Sequence, residues 1–123
     1  MRDLFDAFNR NDADVIKRLM APDGEIVPLR SALEGISFAG PGAVDRFLAA
    51  VEESWSRTSI EVEEIHDGPN GVFARVRFRA TGRESGIDLK AEHGWFVRFE
   101  QEKVARVAPY RDVDEARRLA GVE

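Results

Sequence analysis

From Ile87 to Phe99 the chain alternates without a break. Ile87, Leu89, Ala91, His93, Trp95, Val97 and Phe99 take every second place, and Asp88, Lys90, Glu92, Gly94, Phe96, Arg98 and Glu100 stand between or beside them. Successive side chains of a strand point to opposite faces, so this pattern predicts a long strand with one buried face. His93, one of only two histidines, lies on the apolar face, two residues before a tryptophan. A polar site inside an apolar pocket is therefore expected on this strand.

The neighbouring segments repeat the pattern. In a strand from Val72 to Gly82, Val72, Ala74, Val76, Phe78 and Ala80 share one face, while Phe73, Arg75, Arg77 and Arg79 share the other. In a strand from Ser59 to His66, Ile60 and Val62 oppose Glu61 and Glu63. Both apolar sets must face the core, which restricts the register. The simplest pairing opposes Val62 to Val76, Glu61 to Arg77 and Glu63 to Arg75. A four-residue turn at Arg83 to Gly86 opposes Phe78 to Ala91, Arg77 to Glu92, Val76 to His93, Ala74 to Trp95 and Phe73 to Phe96. The arginines then form half of a charge ladder on the outer face. Phe73 and Phe96, adjacent and aromatic on that face, predict a homodimer surface with Tyr110 at its rim.

The first half reads as helices. Residues 3 to 10 bring Leu4, Phe5 and Phe8 to one face. Asn11 or Asp12 caps a second helix from Asp14 to Met20, and the Ala21 to Gly24 segment ends it. Glu25 to Leu29 is a short strand, with Pro28 marking an edge or an end. A loop from Arg30 to Gly40 is anchored by Leu33, Ile36 and Phe38. Pro41 opens a third helix running to about Trp55, with Val44, Phe47, Leu48 and Val51 as its buried stripe. A last strand runs from Val104 to Arg111. Asp112 and Glu115 then form a capping-box pattern for a short terminal helix ended by Gly121.

The 123 residues fit a single domain, 1–123. The formal net charge of −5 argues against a nucleic-acid partner. There is no cysteine, and His66 and His93 are the only histidines, so neither a metal nor another cofactor is expected. No apolar run is long enough for a membrane span and the acidic N-terminus is unlike a signal peptide, so a cytoplasmic location is expected.

The order of elements, with the stretches Phe8 to Asp23, Phe38 to Leu48, His93 to Phe99 and Val107 to Asp112, resembles the nuclear transport factor 2-like superfamily. Within it, the chain is similar to the SnoaL-like and ketosteroid-isomerase-like proteins. The resemblance implies an α+β fold: a cone-shaped, strongly curved, mostly antiparallel sheet wrapped around three helices, a cystatin-like α+β barrel. It also implies an apolar pocket for a small hydrophobic molecule, and dimers through the sheet. The steroid isomerases place a tyrosine on the first helix, a carboxylate base at the end of the first short strand and a second carboxylic acid on the strand ending in Arg98-Phe99. Those positions fall here on Leu4, on Val27 or Pro28, and on Trp95, so steroid isomerisation is not expected. The aspartate–arginine–aspartate arrangement of the superfamily's epoxide hydrolases is not evident either, although Arg111 and Asp112 echo part of it.

The candidate site follows. His93 is the expected acid–base group, since a neutral imidazole exchanges a proton near pH 7; the competing reading is a hydrogen-bonded core histidine. Trp95 stacks on a flat ligand or offers its indole N–H, or simply packs opposite Ala74. Arg111 binds a carboxylate or enolate if Ala105, Val107, Pro109 and Arg111 point inward; the opposite parity would turn Arg106 and Tyr110 inward, and an ion pair to Asp112 or Glu34 would occupy Arg111. Leu4, Phe8, Val27 and Phe47 complete the expected substrate contacts. A bulge that turns Ile65 inward is expected to expose Glu64 and His66; without it both would line the pocket, and a Glu64 carboxylate there would be a plausible base. Two functions stay open: an isomerase, cyclase or dehydratase acting on a hydrophobic ring-bearing substrate, or a non-catalytic ligand-binding or accessory dimeric domain.

Overall fold

The structure, a computed structural model, describes residues 1–27, 37–40 and 42–123. The expectations resting on Pro28, Leu33, Glu34, Ile36 and Pro41 lie outside the described residues. The order is α1 (Arg2–Arg10), α2 (Ala13–Leu19), β1 (Met20–Ile26), β2 (Phe38–Ala39), α3 (Ala43–Ser54), β3 (Trp55–Asp67), β4 (Val72–Gly82), β5 (Asp88–Glu100), β6 (Lys103–Tyr110) and α4 (Val113–Ala120). The strands form one six-stranded sheet in the order β2-β1-β6-β5-β4-β3, antiparallel except for β1 against β6.

One face of the sheet packs on α1, α2 and α3. Leu4, Phe5 and Ala7 of α1 and Ile16 of α2 are buried against Ala74, Val76, Trp95, Val97, Val104 and Val107. This is the main core, formed where the apolar face of the sheet meets the helices. Asp12, not Asn11, caps α2 by accepting from the Val15 N–H, while Asn11 closes α1 in the left-handed conformation. The expected turn at Ala21 to Gly24 is instead part of β1. It leaves the regular ladder there, because the pairing with β6 jumps from Met20–Val104 to Glu25–Arg106. Trp55 closes α3 as expected, its N–H donating to the Val51 carbonyl, and the same residue begins β3.

The β4–β5 register is the expected one throughout: Phe73 with Phe96, Ala74 with Trp95, Val76 with His93, Arg77 with Glu92 and Phe78 with Ala91. The β3–β4 register agrees up to Val62–Val76. It then shifts, so that Glu64 rather than Glu63 opposes Arg75 and Ile65 opposes Ala74. The extra residue of a β-bulge reverses which side chains face inward. Ile65 therefore joins the core, and Glu64 and His66 point to solvent. The outer face carries the charge ladder: Arg75 lies 2.8 Å from Glu64 and also meets Glu92, and Arg77 lies 3.4 Å from Glu63.

The aromatic patch on the outer face requires a correction. Phe73 is fully buried there. It packs with Ala116 and Ala120 of α4, with Phe96, Tyr110, Val113 and Val122 around them. The Arg117 guanidinium sits 5.2 Å from the Phe73 ring centre. The chain's own terminal helix thus covers the surface expected to receive a partner copy. Helix α4 forms as anticipated, with Asp112 Oδ1 accepting from the Asp114 and Glu115 N–H groups and Gly121 at its C-terminus. Ile87, just before β5, and Leu89 and Phe99, near its two ends, are exposed despite their parity.

Candidate functional site

Between the helices and the concave face lies a cavity of about 340 Å³. Phe8 from α1, Phe47 and Val51 from α3, Trp55 from β3, Phe78 from β4 and Trp95 from β5 make its apolar wall. Ile26, Val27 and Val107 close it from the β1–β6 side. The volume is at the lower end of the roughly 300–1,000 Å³ typical of small-molecule sites, and the mix of aromatic wall and few polar groups is also typical.

His93 is the single buried polar side chain among the described residues, at 5% exposure. Its position follows from register. Val76 opposes it in β4, and Phe78, one pair further along the same face, stacks on the imidazole at 5.2 Å between ring centres. No hydrogen bond joins His93 to another described side chain. Burial lowers its pKa below the ordinary 6.5, and the positive charge of Arg111 adds to the effect. An imidazole in this setting is neutral at physiological pH.

Trp95 faces the same side, two residues on. Its ring lies 4.9 Å from Phe5 and 5.8 Å from Phe8. Its indole N–H is buried without an acceptor among the described residues, and such a group costs about 1–3 kcal/mol until an acceptor arrives.

The parity of the last strand is settled by β5. Trp95 pairs with Pro109 and Gly94 with Tyr110, so the next step sets Arg111 beside His93, just past the end of β6. Val107, Pro109 and Arg111 line the cavity. Arg106 turns outward to Glu25, whose Oε1 accepts from Arg106 Nε at 2.7 Å, and Tyr110 packs under α4. At the start of β6 the register shifts, bringing Val104 rather than Ala105 opposite Phe99 and into the inner core. Arg111 makes no ion pair or hydrogen bond with any described residue; Asp112, one of its expected partners, is engaged with α4.

Of the expected contacts, Phe8, Val27, Phe47, His93, Trp95 and Arg111 reach the cavity. Leu4 does not: it is fully buried in the core one helical turn from Phe8. The cavity also presents Asn9, Asn11, Ser54 and Thr58, which the sequence reading had not assigned to it. Asn9 was legible in one respect, since it follows the buried Phe5 by four residues and so shares its face. Its amide clasps the edge of β3, donating to the Ile60 carbonyl at 2.8 Å and accepting from the Ile60 N–H at 2.7 Å. No carboxylate of the described residues lines the cavity. No cluster of three potential metal ligands occurs among them, and no helix among them is long and apolar enough to cross a membrane.

The sequence model of the SnoaL-like domain family matches residues 1–107. Among solved structures, the chain is similar to a nuclear transport factor 2-like protein of unknown function from Burkholderia pseudomallei, at 20% identity and a TM-score of 0.78, over 97% of this chain and 92% of that one. It is similar to TerC crystallised with polyporic acid, at 19% identity and a TM-score of 0.77, over 97% and 93% of the two chains. A proposed SnoaL-like polyketide cyclase from a Jannaschia species shares 16% identity and a TM-score of 0.75, over 99% and 89%. At these identities the likeness is one of fold. No curated protein matches the chain.

Proposed function

We propose that this chain, which belongs to the SnoaL-like domain family, binds a small hydrophobic ring-bearing molecule in the cone and catalyses proton transfer on it, as an isomerase, cyclase or dehydratase. The supporting observation is His93, a buried neutral imidazole on the wall of a mostly apolar cavity. In this reading the imidazole lone pair takes a proton from carbon next to a carbonyl. The C–H electron pair becomes the enolate double bond, and the carbonyl oxygen takes up the charge beside Arg111. The imidazolium then returns the proton to another atom of the substrate, so the enzyme is regenerated without a co-reactant. The TerC complex with polyporic acid, a ligand in a related fold, is compatible with a ring-bearing substrate.

The test is solvent exchange. Cyclic ketones selected by thermal shift should exchange their α-protons with deuterium when the protein is added, as read by NMR. His93→Gln should keep the thermal shift and lose at least a hundredfold in exchange rate. Equal exchange by wild type and variant would remove His93 from the chemistry.

One observation favours the second reading, a ligand-binding domain without catalysis. Among the described residues no carboxylate lines the cavity and nothing fixes the His93 tautomer, whereas catalytic imidazoles are usually oriented by a third group. Tight binding of ring compounds with no α-proton exchange would select this reading.

A further inference from the structure

We infer that the molecule held in this cavity is an acid: a small ring-bearing anion whose carboxylate, or equally acidic enol or phenol oxygen, sits at the mouth against the Arg111 guanidinium. The inference rests on the pocket reading above and narrows its ligand class.

Three facts converge on one corner of the sheet. Arg111 lines the cavity and has no anionic partner among the described residues, and its one described acidic neighbour in sequence, Asp112, is turned to the N-terminus of α4. Trp95 adds an aromatic face to the cavity wall. Residues 93 and 95 of β5 share the concave face, and β6 sets Pro109 and Arg111 beside them in that order. Pro109 has no N–H, so it neither satisfies nor competes for an acceptor at this point. A positive charge at the edge of a mostly apolar cavity is complementary to an amphipathic anion. The guanidinium takes an oxyanion bidentately, and the rings Phe8, Phe47 and Phe78 take the apolar body. With neutral His93 adjoining, no second positive charge is required and one negative charge is matched.

The cavity bounds the size: at about 340 Å³ it suits compact fused rings. The probes are 2-naphthoate and its methyl ester, which differ by one charge, titrated at pH 7.5 by calorimetry and by tryptophan fluorescence. Naphthoate should bind at least tenfold more tightly than the ester, a difference of about 1.4 kcal/mol. Arg111→Gln should erase that preference by weakening naphthoate far more than the ester, and Arg111→Lys should restore part of it. Equal binding of acid and ester by wild type, or an unchanged preference in Arg111→Gln, overturns the inference and leaves the pocket reading standing. Binding of neither probe, with the thermal midpoint also unmoved by larger ring acids and ketones, overturns both.

Discussion

Gly94 lies directly beneath Ala116. A Cβ built on Gly94 would stand 2.8 Å from the Ala116 Cβ and 2.9 Å from the Val113 backbone. This glycine lets α4 seat on the outer face at the one point of β5 flanked by His93 and Trp95 on the inner face. Helix α4 begins immediately after Arg111, so its seating also fixes the direction from which that arginine approaches the cavity. Gly94→Ala should push the helix outward and cost about 1–3 kcal/mol, the usual range for overpacking a closed contact. Chemical denaturation measures that loss, and naphthoate affinity should fall in the same variant.

Phe73 supplies the other half of that seat. As a residue with no exposed surface packed against Ala116 and Ala120, it should behave as core. Phe73→Ala is expected to cost about 3–5 kcal/mol, with a large fall in melting temperature. An exposed interface aromatic would behave differently: its truncation would change sedimentation and leave monomer stability nearly untouched.

Asn9 acts where the sheet would otherwise end in an open edge. β3 is the last strand, and both backbone groups of Ile60 are taken by the Asn9 amide. Asn9→Ala removes two hydrogen bonds worth about 0.5–1.5 kcal/mol each and frees a strand edge that invites pairing with another chain. A loss of about 1–3 kcal/mol, faster hydrogen exchange at the Ile60 amide and a greater tendency to aggregate are expected. Unchanged exchange at Ile60 would show that the clasp is not holding the edge.

His93 links stability to pH. Its folded pKa is lowered, chiefly by burial and then by Arg111, from the ordinary 6.5. Between the folded and unfolded values the unfolded chain binds more protons, so stability rises with pH. The contribution is fully present above about pH 6.5 and is lost as pH falls through the lower folded value. Urea midpoints measured from pH 8 to pH 5 should fall accordingly. His93→Gln should remove that share of the slope while leaving the carboxylate-driven loss at lower pH in place. Parallel curves for the two proteins would rule out His93 as the source.

The long strands were legible because their side chains repeat with period 2. Arg77 against Glu92 and Val76 against His93 follow from hydrophobic parity plus a short turn, which leaves one solution. The bulge that turns Ile65 inward was legible, but not its effect on pairing: Glu64 takes the place opposite Arg75 expected for Glu63, and a second shift, near Phe99, brings Val104 rather than Ala105 opposite Phe99. A bulge inserts one residue without a strong local signal, so parity fails beyond it. The four residues from Ala21 to Gly24 carry turn chemistry and yet lie within β1, because the parallel β6 strand supplies pairing on either side of them.

The amino-acid sequence by itself determined the types of the long elements and the inward parity of His93 and Trp95. These rest on local periodicity and residue identity. The tertiary structure decided which aromatic residues are surface and which are core, since Phe73 is buried only because α4 folds back over Gly94. It also decided that Arg111, rather than Arg106, stands beside His93. That choice depends on how β6 pairs with β5, a contact between segments whose own patterns allowed both parities.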